Sequence, residues 1–503
     1  MAINDYINDV IRKGDKGSAL LHALCAPTLE NQKDFISIIS DGMNGLAALK
    51  VPEGYNVAVF SAGGNPNEKN LENHTLSLVE NLMSYAININ AKPIAFANVV
   101  DSDTGDIDML KVIGNALRKG ADKYKLAIMN GENACLGPRV NCEANLSGTM
   151  IALLPKEKSV IMDNSQDNQI SQSFSFKHNG VTYAVFDPED KPVIINSDGV
   201  GTKTEFYERS GQYEFAIDDY MAMNLDDAVK SGAIAKVISG IVETRGLVGT
   251  RRFIPMKKII SHTESLAKSM DLIAILDEEQ VGDRIKGYDE SLPSYNISGS
   301  VVSVIDEERL KNPLVPKARD SLIALLSMNP NPRSNGITAK RQAMVDMFGE
   351  KWHETDEGRL FMQYLGQPST IFYPIFKELV SKGLATSVYH MSGGSFDGKL
   401  AKPLAKHNLY VKINNLFQPD WRESAIVGRA LMPAEAAYAS FPMGNEAFIT
   451  TSNPKEASNI IWDLYGLHTR LVGKLENNDK GLTGVKLIGI KGSNGEDVYF
   501  SGR

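Results

Sequence analysis

The sequence predicts a mixed α/β protein of the α+β type, with two related modules in succession followed by a separate C-terminal α/β domain. Three observations carry this. Strand-like and helix-like apolar patterns alternate throughout the 503 residues. The order of elements in the first 155 residues or so returns after a polar stretch, KEKSVIMDNSQDNQISQS (156–173). The pattern then changes at the turn-rich NPNPRSNG (329–336).

In the first pass NVAVFS (56–61) and KPIAFANVV (92–100) read as strands. TGDIDMLKVIGNALRKG (104–120) reads as a helix, because Ile107, Leu110, Ile113 and Leu117 keep one apolar stripe and Gly120 suits its C-terminal end. LAIMNG (126–131) and SGTMIALL (147–154) resume strand character, and 156–173 reads as a linker. The second pass runs through strands at 181–186 and 192–199, a helix over 216–231 and a strand at 235–243. It continues with a helix over 256–270 and strands at 272–276 and 295–305. Beyond residue 326 helices are expected around 338–349 and 369–383, with strands ending in LIGIKG. The expected domains are therefore 1–158, 159–325 and 326–503.

A net charge of -8 without long charged runs argues against nucleic acid as the main partner. No apolar run approaches the roughly 20 residues that cross a bilayer, and the N-terminus lacks a signal-peptide core. Three cysteines, Cys25, Cys135 and Cys142, form neither a disulfide framework nor a zinc spacing. A soluble cytoplasmic protein is the expectation.

NSDGVGTKT (196–204) closes a buried-strand pattern. Gly199, Val200 and Gly201 could turn backbone N–H groups toward an anion, with Thr202 adding a hydroxyl and Lys203 a charge. Asp198 suits a hard cation. A tight turn of solvated polar residues accounts for the loop equally well, and neither a Walker A loop nor GxGxxG occurs. In DDYMAMNLDD (218–227), Asp219 and Asp226 share a helical face, with Asn224 and Asp227 beside it. That cluster reads as a cation site or as a solvated acidic face.

SDGVGTK, then DDYMAMNLDDAVKSGA, then RSNGITAKR (333–341), then YHMSGG (389–394), in this order, resemble the phosphoribosylformylglycinamidine cyclo-ligase (aminoimidazole ribonucleotide synthetase) family over about residues 175–503. The resemblance implies ATP-dependent cyclisation of formylglycinamidine ribonucleotide to aminoimidazole ribonucleotide, giving ADP and phosphate, with ATP and Mg2+ as cofactors. It implies Asp198, Asp226 and Asp227 as metal ligands, and Asp198, Lys203 and His390 as catalytic residues. Gly199 to Thr202, Asp219 and Asn224 would bind the nucleotide, and Ser334, Asn335, Gly336, Gly393 and Gly394 the substrate. His390 also reads as a buried structural histidine.

The chain departs from the family in its extra first module. There the loop opposite SDGVGTK is SAGGNPNEK (61–69), without the aspartate, and Ser84 and Tyr85 stand opposite Asp226 and Asp227. Its NGENA (130–134), however, resembles the family's Gly-Gly-Glu-Thr-Ala strand end, where the second module has DEEQV (277–281), so that Glu132 and Glu279 correspond. One composite nucleotide site is expected, with Asn130, Gly131 and Glu132 from the first module and Asp198–Lys203 from the second. The competing reading makes the first module a structural prop. Another phosphoryl-transfer enzyme of the same superfamily, or an inactive nucleotide-binding regulator, are the alternatives. The partner is a small-molecule substrate, and the chain is expected as a monomer with an internal pseudo-dimer or as a homodimer.

Overall fold

Along Tyr55–Gly63, Val57 and Val59 point to one side, while Ala58, Phe60 and Ala62 point to the other. Ala144–Pro155 behaves the same way, with Ile151 and Leu153 on one face and Met150, Ala152 and Leu154 on the opposite one. Period-two alternation with apolar residues on both faces means a sheet covered on both sides. The computed structural model, which describes residues 16–39, 46–162, 173–245, 254–288, 294–327, 329–334, 336–478 and 481–502, shows this arrangement. Asn335 lies outside the described residues.

The described chain falls into two compact units, the first spanning 16–224 and 233–312, the second 225–232 and 313–502. Two six-stranded sheets make up the first unit. One has the order Ala127–Cys135, Lys92–Ser102, Ala144–Pro155, Tyr55–Gly63, Val181–Phe186, Ser173–His178. The other runs Ile273–Gln280, Ile234–Thr244, Tyr295–Val304, Val193–Gly199, Leu46–Leu49, Ile36–Ile39. Strand order and orientation repeat: the first two strands of each are parallel and the rest antiparallel.

Each sheet takes its final hairpin from the other half of the chain. Leu49 pairs with Val193, and Val181–Phe186 pairs with Tyr55–Gly63. This exchange is the physical reason that 1–158 and 159–325 do not separate as independent bodies. A core of Val57, Val59, Ile151, Ile195, Val237 and Val302 joins the inner faces of the two sheets. The helices Leu71–Asn88 and Ile107–Tyr124 cover the outer face of the first. Asn70 and Asp106 cap them, their side chains accepting backbone N–H groups of the first turn. The stretch expected as a linker begins instead with a helix, Lys156–Met162; 163–172 lies outside the described residues.

In the second unit a seven-stranded sheet runs Ser387–His390, Ala447–Thr451, Ser321–Leu326, His468–Asn477, Leu409–Ile413, Gly484–Lys491, Asp497–Phe500. Helices at Ile337–Phe348 and Tyr373–Ser381 correspond to the two expected there. Among the described residues no helix is long and apolar enough to cross a membrane.

Candidate functional site

In the first unit the strand Val193–Gly199 ends with Asp198 opposite Gly299. The loop that follows turns its donors inward. Gly199 N–H donates to Asp198 Oδ1 at 2.7 Å, Val200 N–H to Ile297 O at 3.0 Å and Gly201 N–H to Asn296 Oδ1 at 3.2 Å. Gly201 has φ +66°, and a Cβ there would lie 2.9 Å from Leu136, so a side chain is excluded by both backbone and space. Lys203 is fully buried, with Nζ 2.9 Å from Asp219 Oδ1, while Tyr207 donates to Asp219 Oδ2. Gly199, Val200 and Gly201, expected as a phosphate cradle, each have a protein acceptor for the backbone N–H. The lysine expected at the phosphates sits in the core because a buried Asp219 needs a cation. Asn224 donates to Tyr220 O at 3.0 Å and approaches Asp198 O at 3.4 Å. Thr202 is buried.

The strand Ala127–Cys135 lies against Val193–Gly199. The structure thus brings the first half's Asn130, Gly131 and Glu132 to the sheet end that carries Asp198. Gly131 is exposed, and Asn130, Glu132 and Asp198 are partly so.

Between the halves lies a polar centre that motif reading missed. Asn296 Nδ2 donates to Asp101 Oδ2 at 2.6 Å and to Glu243 Oε2 at 3.3 Å, and Asn145 Nδ2 donates to Glu243 Oε1 at 2.7 Å. Burial, then the charge of Asp198, pushes the Asp101 carboxyl up. Burial, then Asp101 and Glu279, pushes Glu243 well up. Asp101 and Glu243 occupy matching positions in the two repeats, opposite Asn145 and Asn296 of the adjacent strands. In the sequence only the correspondence between the two repeats points to them.

In the second unit Asp226, Asp227 and His390 come together. Arg333 donates to Asp226 Oδ2 at 3.1 Å, His390 Nε2 lies 2.7 Å from Asp227 Oδ1, and Lys230 and Lys399 face Asp227, the latter at 3.7 Å. Burial pushes Asp227 up, but Lys230, Lys399 and His390 outweigh it and hold the carboxyl well below its usual range. Burial lowers His390 against the pull of Asp227. Asp226 and Asp227 were expected to hold Mg2+. The structure gives them cationic side chains instead, and among the described residues no group of three or more His, Cys, Asp or Glu is placed to hold a metal.

Ser334 follows Arg333, with Oγ buried and unpartnered among the described residues. Gly336 (φ +72°) precedes the helix Ile337–Phe348 against Phe441. Gly393 is exposed, and Gly394 (φ +78°) packs on Gly398. Arg333, Lys230 and Lys399 were missed from the sequence, although Arg333 opens the RSNG string itself.

Fold and site define a mixed α/β protein that holds the buried ion pairs Lys203–Asp219 and Arg333–Asp226. No family model matches the sequence. Its curated relatives include the phosphoribosylformylglycinamidine cyclo-ligase of Methanococcus vannielii, 24% identical over 300 residues, covering 58% of this chain and 79% of that protein. The cyclo-ligase of Streptococcus pyogenes serotype M2 is 23% identical over 207 residues, covering 41% of this chain and 58% of its own length. Among solved structures, thiamine-monophosphate kinase from Stenotrophomonas maltophilia K279a matches with TM-score 0.41 and 12% identity, covering 66% of this chain and 95% of that one. Phosphoribosylformylglycinamidine synthase II from Thermotoga maritima matches with TM-score 0.36 and 14% identity, covering 61% and 43%.

Proposed function

We propose that the chain is an ATP-dependent enzyme that closes formylglycinamidine ribonucleotide to aminoimidazole ribonucleotide, releasing ADP and phosphate. The observation that carries this is the sequence similarity to cyclo-ligases over 300 residues. The repeated sheet order supports an internal duplication, and the meeting of Ala127–Cys135 with Val193–Gly199 supports one composite nucleotide site. When bound, ATP would supply the phosphoryl group that activates an amide oxygen. Asp198, Asn130, Gly131 and Glu132 would hold the nucleotide at the open sheet end. Lys203 acts through Asp219 and the shape of the loop, not at the phosphates. Ser334, Gly336, Gly393 and Gly394 stand as the proposed substrate-binding residues of the second unit.

A second reading, a nucleotide-binding protein without turnover, is favoured by the inward donors of Gly199, Val200 and Gly201. ADP release with formylglycinamidine ribonucleotide, ATP and Mg2+, beside Asp198→Asn, separates the two. Substrate-dependent release with formation of aminoimidazole ribonucleotide, lost in the variant, supports the ligase. Nucleotide binding without any product supports the second reading.

A further inference from the structure

We propose that Arg139, a residue of the first half, is a positioning residue that fixes the loop 199–203 and the helix behind it, and so completes the nucleotide site of the second half. The loop passes through a short turn, Gly201–Lys203, straight into the helix Thr204–Ser210. Arg139 grips that helix with its fork: Nη2 donates to Glu208 Oε1 at 2.6 Å and Nη1 to Oε2 at 3.2 Å, both side chains being almost fully buried. Nη2 also donates to Tyr295 O at 2.9 Å, and the Tyr295 N–H donates to Glu208 Oε1 at 3.2 Å. Asn296, the next residue, holds the start of the same segment, accepting the Gly201 N–H at 3.2 Å and donating to Asp101 of the first half at 2.6 Å. Two first-half side chains therefore bracket residues 201–208. A planar guanidinium that meets both oxygens of a carboxylate fixes direction as well as distance.

The internal repeat supplies the comparison. Arg139 ends the turn Gly137–Arg139 and Arg284 the turn Gly282–Arg284, and the residues that follow them, Val140 and Ile285, pair as an antiparallel bridge. The Asn141 N–H donates to Arg284 O and the Lys286 N–H to Arg139 O, each at 2.8 Å. Arg284 donates to Ala144 O at 3.0 Å, as Arg139 does to Tyr295 O. Ala144 and Tyr295 hold the same place in the two sheets, opposite Ser102 and Thr244. Beyond that carbonyl the two arginines part. Arg284 goes on to the backbone carbonyls of Pro66 and Glu68, in a segment, 64–70, that forms no helix. Arg139 goes on to the Glu208 carboxylate, on the side that carries Asp198. The paired grip thus falls on the loop proposed to face the nucleotide. This use of Arg139 rests on the nucleotide reading given above; the grip itself does not.

The test compares the two equivalent arginines in the full chain. Arg139→Lys and Arg284→Lys each keep the charge and lose the fork. Binding of a non-hydrolysable ATP analogue with Mg2+ is measured by calorimetry, and amide exchange is followed across 199–210 and 63–69. Arg139→Lys should weaken the analogue about tenfold, as displacement of a binding loop does, and speed exchange in 199–210. Arg284→Lys should speed exchange in 63–69 and leave the affinity unchanged. Unchanged affinity in Arg139→Lys, or equal weakening in both variants, overturns the proposal, since a merely structural role would make the two arginines alike. If Arg139→Lys does not fold, Arg139→Met combined with Glu208→Leu, which removes both buried charges, takes its place under the same criteria. In the unaltered protein the analogue should slow exchange at 204–210 as well as at 196–203, and slowing confined to 196–203 overturns the proposal. An unaltered protein that binds no analogue sinks the nucleotide reading alone. Exchange in 199–210 of the Arg139 variant then decides, and exchange as slow as in the unaltered protein overturns the positioning role.

Discussion

At the scale of single residues, Lys203 and Asp219 show how burial reassigns a side chain. Both are fully buried and paired at 2.9 Å, and Tyr207 supplies the second aspartate oxygen with a donor. Taking away one partner leaves a buried charge without compensation, at a cost of about 3–5 kcal/mol. Asp219→Ala should therefore lower the stability of the first unit strongly, while Lys203→Met combined with Asp219→Leu should recover most of the loss. All three tryptophans, Trp352, Trp421 and Trp462, belong to the second unit. Hydrogen exchange in the strand Tyr55–Gly63 is thus the suitable readout. Equal losses in the single and double variants would show that the pair is not the relevant interaction. The lysine was legible as a loop cation, but its direction was not, because nothing local in GVGTK announces a carboxylate 16 residues on.

At the scale of elements, Gly63 at the end of the strand Tyr55–Gly63 meets Glu279 near the end of Ile273–Gln280. Glu279 accepts the Gly63 N–H, and a Cβ on Gly63 would lie 1.9 Å from Glu279 Oε2. Gly63→Ala should displace that carboxylate and cost about 1–3 kcal/mol, as overpacking does, seen as faster exchange at the strand's end; unchanged exchange would refute it. Burial pushes Glu279 up to about 7, against the Gly63 hydrogen bond that lowers it. A carboxyl raised on folding holds its proton in the native state where the unfolded chain has lost it. Its contribution is therefore complete below its unfolded value near 4.5 and lost as pH rises to about 7. The slope is ~1.4 kcal/mol per pH unit within that window. Glu279→Gln should flatten this fall between pH 5 and 7; an identical pH profile for the two proteins would count against it. Strands and helices such as Lys92–Ser102 and Ile107–Tyr124 were legible because their periodicity is local. The exchange of hairpins was not, since pairing Leu49 with Val193 is a long-range choice that no window of sequence contains.

At the scale of the whole chain, repetition of sheet order offers two equivalent loops, 199–203 and 63–69, yet the structure treats them differently. The repeat itself was legible in the paired strings 45–69 and 180–203, as was the loss of an aspartate from the first loop. What fills the second position was not legible. Glu279 lies against Gly63, and Arg284 donates to Pro66 O at 3.1 Å, to Glu68 O and to Ala144 O at 3.0 Å. An anion entering there would meet a carboxylate, and the nearest guanidinium is already committed to backbone carbonyls. The other position keeps Gly131 exposed and Asp198 partly exposed. The expected stoichiometry is therefore one nucleotide per chain, measured by equilibrium dialysis or calorimetry with a non-hydrolysable ATP analogue. Asp198→Asn should weaken that single site at least tenfold, whereas Arg284→Met, which frees carbonyl acceptors and no donors, should not create another. Two sites in the unaltered protein would mean that the Glu279–Arg284 contacts open in solution, and no site at all would remove the nucleotide from the proposed function. Two sites in the unaltered protein that fall to one in Asp198→Asn would place the second nucleotide at the 63–69 loop and overturn the asymmetry argued from Glu279.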